Sequence, residues 1–148
     1  MKIWRMQSAW GSGGAVVDLG ATIPAGFPSP ALDYAEERID LNDVLIKHPL
    51  STFIMQCDGS SMIHAFIPPG ARLIVDRSVT AKNGDIVVAV LDGEFTLKFL
   101  KKNVTKCWLV PANPKYKDIE ITEGMDFQVW GVVIHILIDT QTVRKCML

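Results

Sequence analysis

No run of apolar residues in this chain approaches the ~20 needed to cross a bilayer as a helix. The most apolar stretch, Phe127–Ile138, is broken by Gln128 and His135. No leader is expected either, because Gln7, Ser8, Gly11, Ser12 and Gly13 deny the N-terminus the apolar core that must follow Lys2 and Arg5. The expectation is a cytoplasmic chain with neither membrane anchor nor export signal. Cysteine is scarce: Cys57, Cys107 and Cys146 share no metal-ligand spacing, and an odd number argues against a secreted disulfide framework. An excess of one charge is also lacking. Fifteen Lys+Arg against 16 Asp+Glu leave a net charge of −1, so no global positive field draws the chain onto nucleic acid or an anionic membrane. Direct sequence-specific DNA binding is therefore not expected, and any nucleic-acid role should run through a partner.

What is present is a soluble globular composition: 148 residues, 49% hydrophobic and 21% charged, with 11 Gly and 8 Pro. That is the size of one domain with one modest core. Residues 1–30 differ from the rest, carrying glycines at 11, 13, 14, 20 and 26 and prolines at 24, 28 and 30. They read as an extended arm that can pack only by docking on the domain behind it, with Trp4, Trp10, Val16 and Val17 available for that contact. From Leu32 to Lys47 the apolar positions Leu32, Ala35 and Ile39, then Leu41, Val44 and Leu45, predict two short helices, with Asp40 as an N-cap and Asp43 in a first turn.

Beyond Pro49 come seven predicted strands: Thr52–Cys57, Arg72–Asp76, Ile86–Leu91, Glu94–Leu100, Cys107–Val110, Ile119–Thr122 and Phe127–Ile138. Asp92-Gly93 between two of them is a two-residue hairpin signal, and Gly131 inside the last predicts a bulge. The domain is expected to be mostly β.

The residues with the most chemistry are Ser61, in Asp58-Gly59-Ser60-Ser61-Met62 after a predicted strand, and Lys98, in the strand Glu94-Phe95-Thr96-Leu97-Lys98-Phe99-Leu100. A serine hydroxyl needs a base, and a lysine serves when burial disfavours its ammonium form. Alternation sets Phe95, Leu97 and Phe99 on one face and Thr96 and Lys98 on the other, away from the main core. His64, three residues after Ser61, is a rival base. Residue types alone leave both open, since Gly-Ser-Ser-Met is an ordinary turn sequence and a strand lysine is ordinarily solvated. Cys57 reads as a buried structural thiol, His135 as a core or interface histidine, and Lys98, Lys101, Lys102 and Lys106 as a basic cluster of the kind that guards a sheet edge.

Read together, the motifs discriminate further. Gly26-Phe27-Pro28-Ser29-Pro30-Ala31, Asp33-Tyr34, Arg38-Ile39-Asp40-Leu41-Asn42, His48-Pro49, Ser61-Met62-Ile63, Leu73-Ile74-Val75-Asp76, Gly84-Asp85-Ile86-Val87, Asp92-Gly93-Glu94-Phe95-Thr96 and Gly131-Val132-Val133-Ile134-His135 follow one another in order. Over about residues 24–138 the chain resembles the bacterial UmuD proteins, LexA-related mutagenesis subunits of a translesion polymerase. The resemblance implies a LexA-like C-terminal peptidase fold of short, strongly curved strands, with one or two short N-terminal helices and an extended N-terminal arm. It implies a self-cleaving serine–lysine protein with Ser61 as nucleophile, Lys98 as general base and Ala25–Gly26 as the bond cut. Residues 1–25 would then be a removable arm, and residues 26–148 the β-rich peptidase and dimerisation domain.

The same resemblance implies a homodimer, stimulation by a RecA–DNA filament in the SOS response, and a UmuC-like Y-family polymerase subunit as the protein served, with no cofactor and no metal. Two departures stand out. Ser60 occupies a position where such proteins commonly carry Asp, and the arm before Pro24 and the tail after Ile138 do not follow the usual pattern. The alternatives are a dimeric adaptor with a vestigial serine–lysine pair, or a soluble signal-peptidase-like protease acting on other chains. A repressor is disfavoured, because the 25 residues before the expected cut are too few for a helix-turn-helix domain.

Overall fold

The computed structural model describes residues 3–5, 16–18, 23–28 and 37–147. The chain divides into two compact units, one of Met1–Met6 with His48–Leu148 and one of Gln7–Lys47.

The larger unit is an eight-stranded antiparallel sheet. In chain order its strands are β1 (Ile3–Arg5), β4 (Thr52–Gln56), β5 (Arg72–Asp76), β6 (Ile86–Leu91), β7 (Glu94–Lys102), β8 (Cys107–Val110), β9 (Ile119–Ile121) and β10 (Phe127–Leu137), and across the sheet they run β1-β4-β5-β10-β6-β7-β8-β9. All seven strands expected from alternation are present, with ends shifted by at most two residues. The hairpin β6–β7 turns at Asp92-Gly93, where φ values of 49° and 83° are those of a turn that lets Leu91 pair with Glu94. Only a residue without Cβ adopts the second of these freely.

The last strand crosses the middle of the sheet, between β5 and β6, and it shifts register twice, at Val129/Gly131 against β6 and at Val133/His135 against β5. Each extra residue bends the strand, which lets one strand serve two neighbours that are not parallel to each other. The predicted bulge at Gly131 is one of the two, and glycine there has a packing reason as well: a Cβ would sit 2.6 Å from Val75 Cγ1 and 3.3 Å from Asp76 O.

Apolar residues cover both faces of the sheet. Met55, Met62, Ile67, Leu73, Val75, Val88 and Leu97 form one buried cluster, and Val87, Ala89, Leu100, Leu109 and Val132 form the other. Val87 and Val88 are neighbours in β6 yet belong to different clusters, as a period of two requires. After β10 a helix, α2 (Thr140–Met147), follows that the sequence reading did not anticipate.

The smaller unit contains β2 (Val16–Asp18) paired antiparallel with β3 (Glu37–Ile39), and α1 (Leu41–Leu45). Asp40 caps α1 as expected: it is extended, and its carboxylate accepts from the Asn42 backbone N–H at 2.8 Å. The first of the two expected helices is corrected at its C-terminal end, where Glu37–Ile39 is a strand. The spacing of Leu32, Ala35 and Ile39 matches a helical period, but the ladder to Val16 and Val17 and the extended cap at Asp40 prevail. Residues 32–36 of that expectation, and Trp10, lie outside the described residues.

Candidate functional site

The site is built where a loop and a strand from the two halves of the sheet converge. Beyond β4, Cys57 still exchanges backbone hydrogen bonds with the β5 side, its N–H donating to Ala71 O at 2.8 Å and its C=O accepting from Gly70 at 2.9 Å. Residues 58–69 are thereby closed into a loop with both ends tied. Inside it, Met62 and Ile67 are fully buried in the first cluster, and the N–H groups of Ala65 and Ile67 both donate to Met62 O across a short 3-10 turn at Ile63–Ala65. Ser61 precedes this anchored methionine and stays half-buried.

Lys98 lies in β7 opposite Val87. Leu97 and Phe99 pack with the first cluster and Leu100 belongs to the second, so β7 is covered on both faces here. The lysine is consequently buried, with 8% of its surface exposed. Its Nζ lies 3.0 Å from each of three oxygens: Ser61 Oγ, Thr96 Oγ1 and Leu97 O. An ammonium would donate to all three. A neutral amine fits the same geometry, donating to the Leu97 carbonyl and the Thr96 hydroxyl while its lone pair faces the Ser61 O–H.

Electrostatics favour that neutral form. Burial pushes the Lys98 pKa below the ordinary lysine value, and the opposing influence is the Cys57 sulfur. That opposition requires a thiolate. Cys57 is itself buried, and burial together with the Asp58 carboxylate raises its pKa against the lowering effect of Lys98, so the thiol keeps its proton at neutral pH. Cys57 is the buried thiol that its apolar strand phase predicted.

His64 is exposed on the 3-10 turn, and its backbone N–H donates to Ala112 O at 2.9 Å. The nitrogen beside Ser61 Oγ is that of Lys98. Ala25 and Gly26 are in the smaller unit, within an exposed bend at residues 23–28 where Phe27 is 91% exposed. The basic cluster does not form a sheet edge, because β8 and β9 lie outside β7. Lys101 sits over the Trp108 ring, Lys102 Nζ donates to Ala81 O, and Lys106 pairs with Glu120. His135 is half-buried opposite Ile74.

Sequence reasoning missed several contributors. Thr96 was placed on the Lys98 face without a role, although alternation alone puts it next to the amine. A second polar centre went unseen: Asp76, 1% exposed, accepts from His48 Nδ1 at 2.6 Å, from Ser51 Oγ at 3.0 Å, and from the N–H and hydroxyl of Ser78. Among the described residues no group of His, Cys, Asp and Glu side chains is arranged to hold a metal ion, and no helix is long and apolar enough to cross a membrane.

Comparison with known proteins places the chain in a lineage. Residues 16–134 match the family described as Peptidase S24-like. Protein MucA of Salmonella typhimurium is 41% identical over 118 residues, covering 79% of this chain and 80% of that protein. Protein SamA of Salmonella typhimurium is 43% identical over 110 residues, 74% of this chain and 76% of SamA. Protein ImpA of Escherichia coli is 39% identical over 121 residues, 81% of each chain.

Proposed function

The chain belongs to the Peptidase S24-like family, and from that premise we propose that it is a UmuD-like protein that cuts its own Ala25–Gly26 bond with Ser61 and Lys98. The observation that carries the reading is the 3.0 Å approach of a buried, desolvated lysine amine to a serine hydroxyl. In the first step Lys98 Nζ takes the Ser61 proton as Oγ bonds to the Ala25 carbonyl carbon. The resulting Lys98 ammonium returns the proton to the Gly26 nitrogen as the C–N bond breaks, leaving Ala25 esterified to Ser61. Water then attacks the ester, Lys98 again acting as base, and releases residues 1–25.

Two features support Ala25–Gly26 as the substrate bond. Small residues on both sides suit entry beside a half-buried hydroxyl, and the bond lies in an exposed bend outside any helix or strand. Cleavage would leave residues 26–148, which include β4 to β10 and hence both buried clusters. On this reading the trimmed chain is a homodimer that serves a UmuC-like translesion polymerase, and a RecA–DNA filament stimulates the cut. The resemblance of the motifs to UmuD proteins supports both partners.

Incubation of the full chain with activated RecA filaments and nucleotide tests the reading. Intact-mass analysis should give two fragments, residues 1–25 and 26–148; a cut at another bond would remove the proposed scissile site, and no cut under stimulation would remove the activity.

A further inference from the structure

The loop after β8 touches the nucleophile turn at four points. Ala112 N–H donates to Ser61 O at 2.8 Å, and Ala112 O accepts from His64 N–H at 2.9 Å. Asn113 Nδ2 donates to Ser60 O at 2.9 Å, and the Tyr116 hydroxyl meets Ser60 Oγ at 3.2 Å. Two of these are backbone pairings that any residue can make. The other two depend on side chains, and both converge on Ser60, the residue immediately before the nucleophile.

Asn113 is itself held from two directions. Its Oδ1 accepts from Lys115 N–H at 3.0 Å and its C=O accepts from Tyr116 N–H at 3.0 Å. The amide is therefore oriented by its partners: the oxygen is committed to its own turn, which leaves Nδ2 aimed at the nucleophile loop. The hydrogen bond to Ser60 O spans 53 positions of sequence, so it ties the Ser61 loop to the β8 side of the sheet. Lys98 lies in β7, the hydrogen-bonded neighbour of β8. The nucleophile is thus referenced to the same pair of strands that carries its base.

We propose that Asn113 is a positioning residue for self-cleavage, holding the Ser60–Ser61 backbone so that Ser61 Oγ stays within hydrogen-bond reach of Lys98, with Tyr116 as a second and weaker brace on Ser60. The inference rests on the serine–lysine reading of the site. Ser60 is thereby held at both its carbonyl, by Asn113, and its hydroxyl, by the Tyr116 phenol.

Asn113→Asp is the informative variant. A carboxylate keeps the acceptor that Lys115 N–H needs but replaces the donor facing Ser60 O with a second acceptor, which repels that carbonyl. Because misplacement of reacting groups by about 1 Å costs on the order of 10²-fold, the plateau rate of RecA-independent self-cleavage should fall by about 10- to 100-fold. The new charge also favours the Lys98 ammonium and should move the pH at half-maximal rate upward, so the midpoint is compared in the uncharged Asn113→Leu, where it should not move, since Lys98 keeps its burial. Asn113→His, which retains a donor at similar reach, should recover part of the rate, and Tyr116→Phe should lose only a few-fold. Rates are read well below each variant's thermal midpoint, so that a loss of stability alone leaves them unchanged. A wild-type plateau rate in Asn113→Asp overturns the proposal while leaving the dyad standing. So does a displaced pH midpoint in Asn113→Leu, which would mean that Asn113 acts through the environment of Lys98. Failure of the unmodified chain to cleave at any pH would instead remove the serine–lysine reading on which the inference depends.

Discussion

Thr96 Oγ1 lies 3.0 Å from Lys98 Nζ, on the same face of β7 and two residues away. With Leu97 O it supplies the two acceptors that an uncharged amine needs in order to turn its lone pair toward Ser61. Thr96→Val keeps the β-branched shape and removes one acceptor. The buried ammonium then loses a partner and the amine loses its orientation. The pH midpoint of self-cleavage should shift downward and the plateau rate should fall, by roughly 10-fold if one such hydrogen bond contributes about 1.4 kcal/mol to the transition state. Rate–pH profiles of the two proteins check both parts.

Burial of Lys98 should make the fold less stable than it would be with an apolar side chain. Its pKa is lowered in the folded state by desolvation, so the unfolded chain binds the proton more tightly and stability rises with pH. The rise begins at the folded pKa and ends near the unfolded value of about 10.4. In a Ser61→Ala background, which prevents cleavage, Lys98→Met should unfold at higher denaturant than Lys98 at neutral pH, and the gap should narrow toward pH 10. Equal midpoints at neutral pH would contradict the desolvation of Lys98.

Asp76 should carry the opposite dependence. Burial works to raise its pKa, but hydrogen bonds from His48, Ser78 and Ser51 together outweigh it and hold the carboxyl below its ordinary range. A depressed folded pKa contributes stability that is fully present above the unfolded value of about 3.9 and is lost as pH falls through the folded one. Asp76→Asn should lower stability by about 1.5–3 kcal/mol at neutral pH, the scale of a hydrogen bond to a charged group. Chemical denaturation of both proteins from pH 7 to pH 3 should show that difference shrinking below about pH 4.

Gly131→Ala should destabilise the sheet by about 1–3 kcal/mol, the usual cost of overpacking. The added carbon would meet Val75 Cγ1 at 2.6 Å and has Asp76 O behind it. Val75→Ala removes the first obstacle, so the double variant should lose less than the sum of the two single ones, as a double-mutant cycle of thermal unfolding would show.

The long strands were legible because each alternates over five or more residues or is bounded by a strong turn, as Asp92-Gly93 bounds β6 and β7. Three-residue strands such as β1 and β3 carry too little pattern to outweigh a helical spacing like Leu32, Ala35, Ile39. The helix α2 begins with Thr140-Gln141-Thr142-Val143, in which Thr140, Thr142 and Val143 are β-branched residues with weak helical preference. What starts it is the Asp139 carbonyl, which accepts from Thr142 and Val143 N–H. Ser61 and Lys98 stood out only through the run of motifs around them, since neither residue's local sequence predicts the 37-position contact. Asn113 and Tyr116 were invisible for the same reason: their partners lie across the sheet, and Pro-Ala-Asn-Pro reads as a plain turn. The burial of Lys98 was left open, because alternation names the face a side chain takes but not whether that face is covered.

The central claim is that Lys98, in neutral form, takes the proton of Ser61. The most direct measurement is the intact mass of the full chain during incubation without RecA across a rising pH series. The unmodified protein should convert to residues 26–148 at a rate that climbs with pH and levels off below the ordinary lysine pKa of about 10.4. Ser61→Ala and Lys98→Arg should remain uncut at every pH, since guanidinium keeps its proton throughout this range, while His64→Ala should follow the unmodified protein. Cleavage of Lys98→Arg at the unmodified rate, with loss of cleavage in His64→Ala, would contradict the account and assign the base to His64.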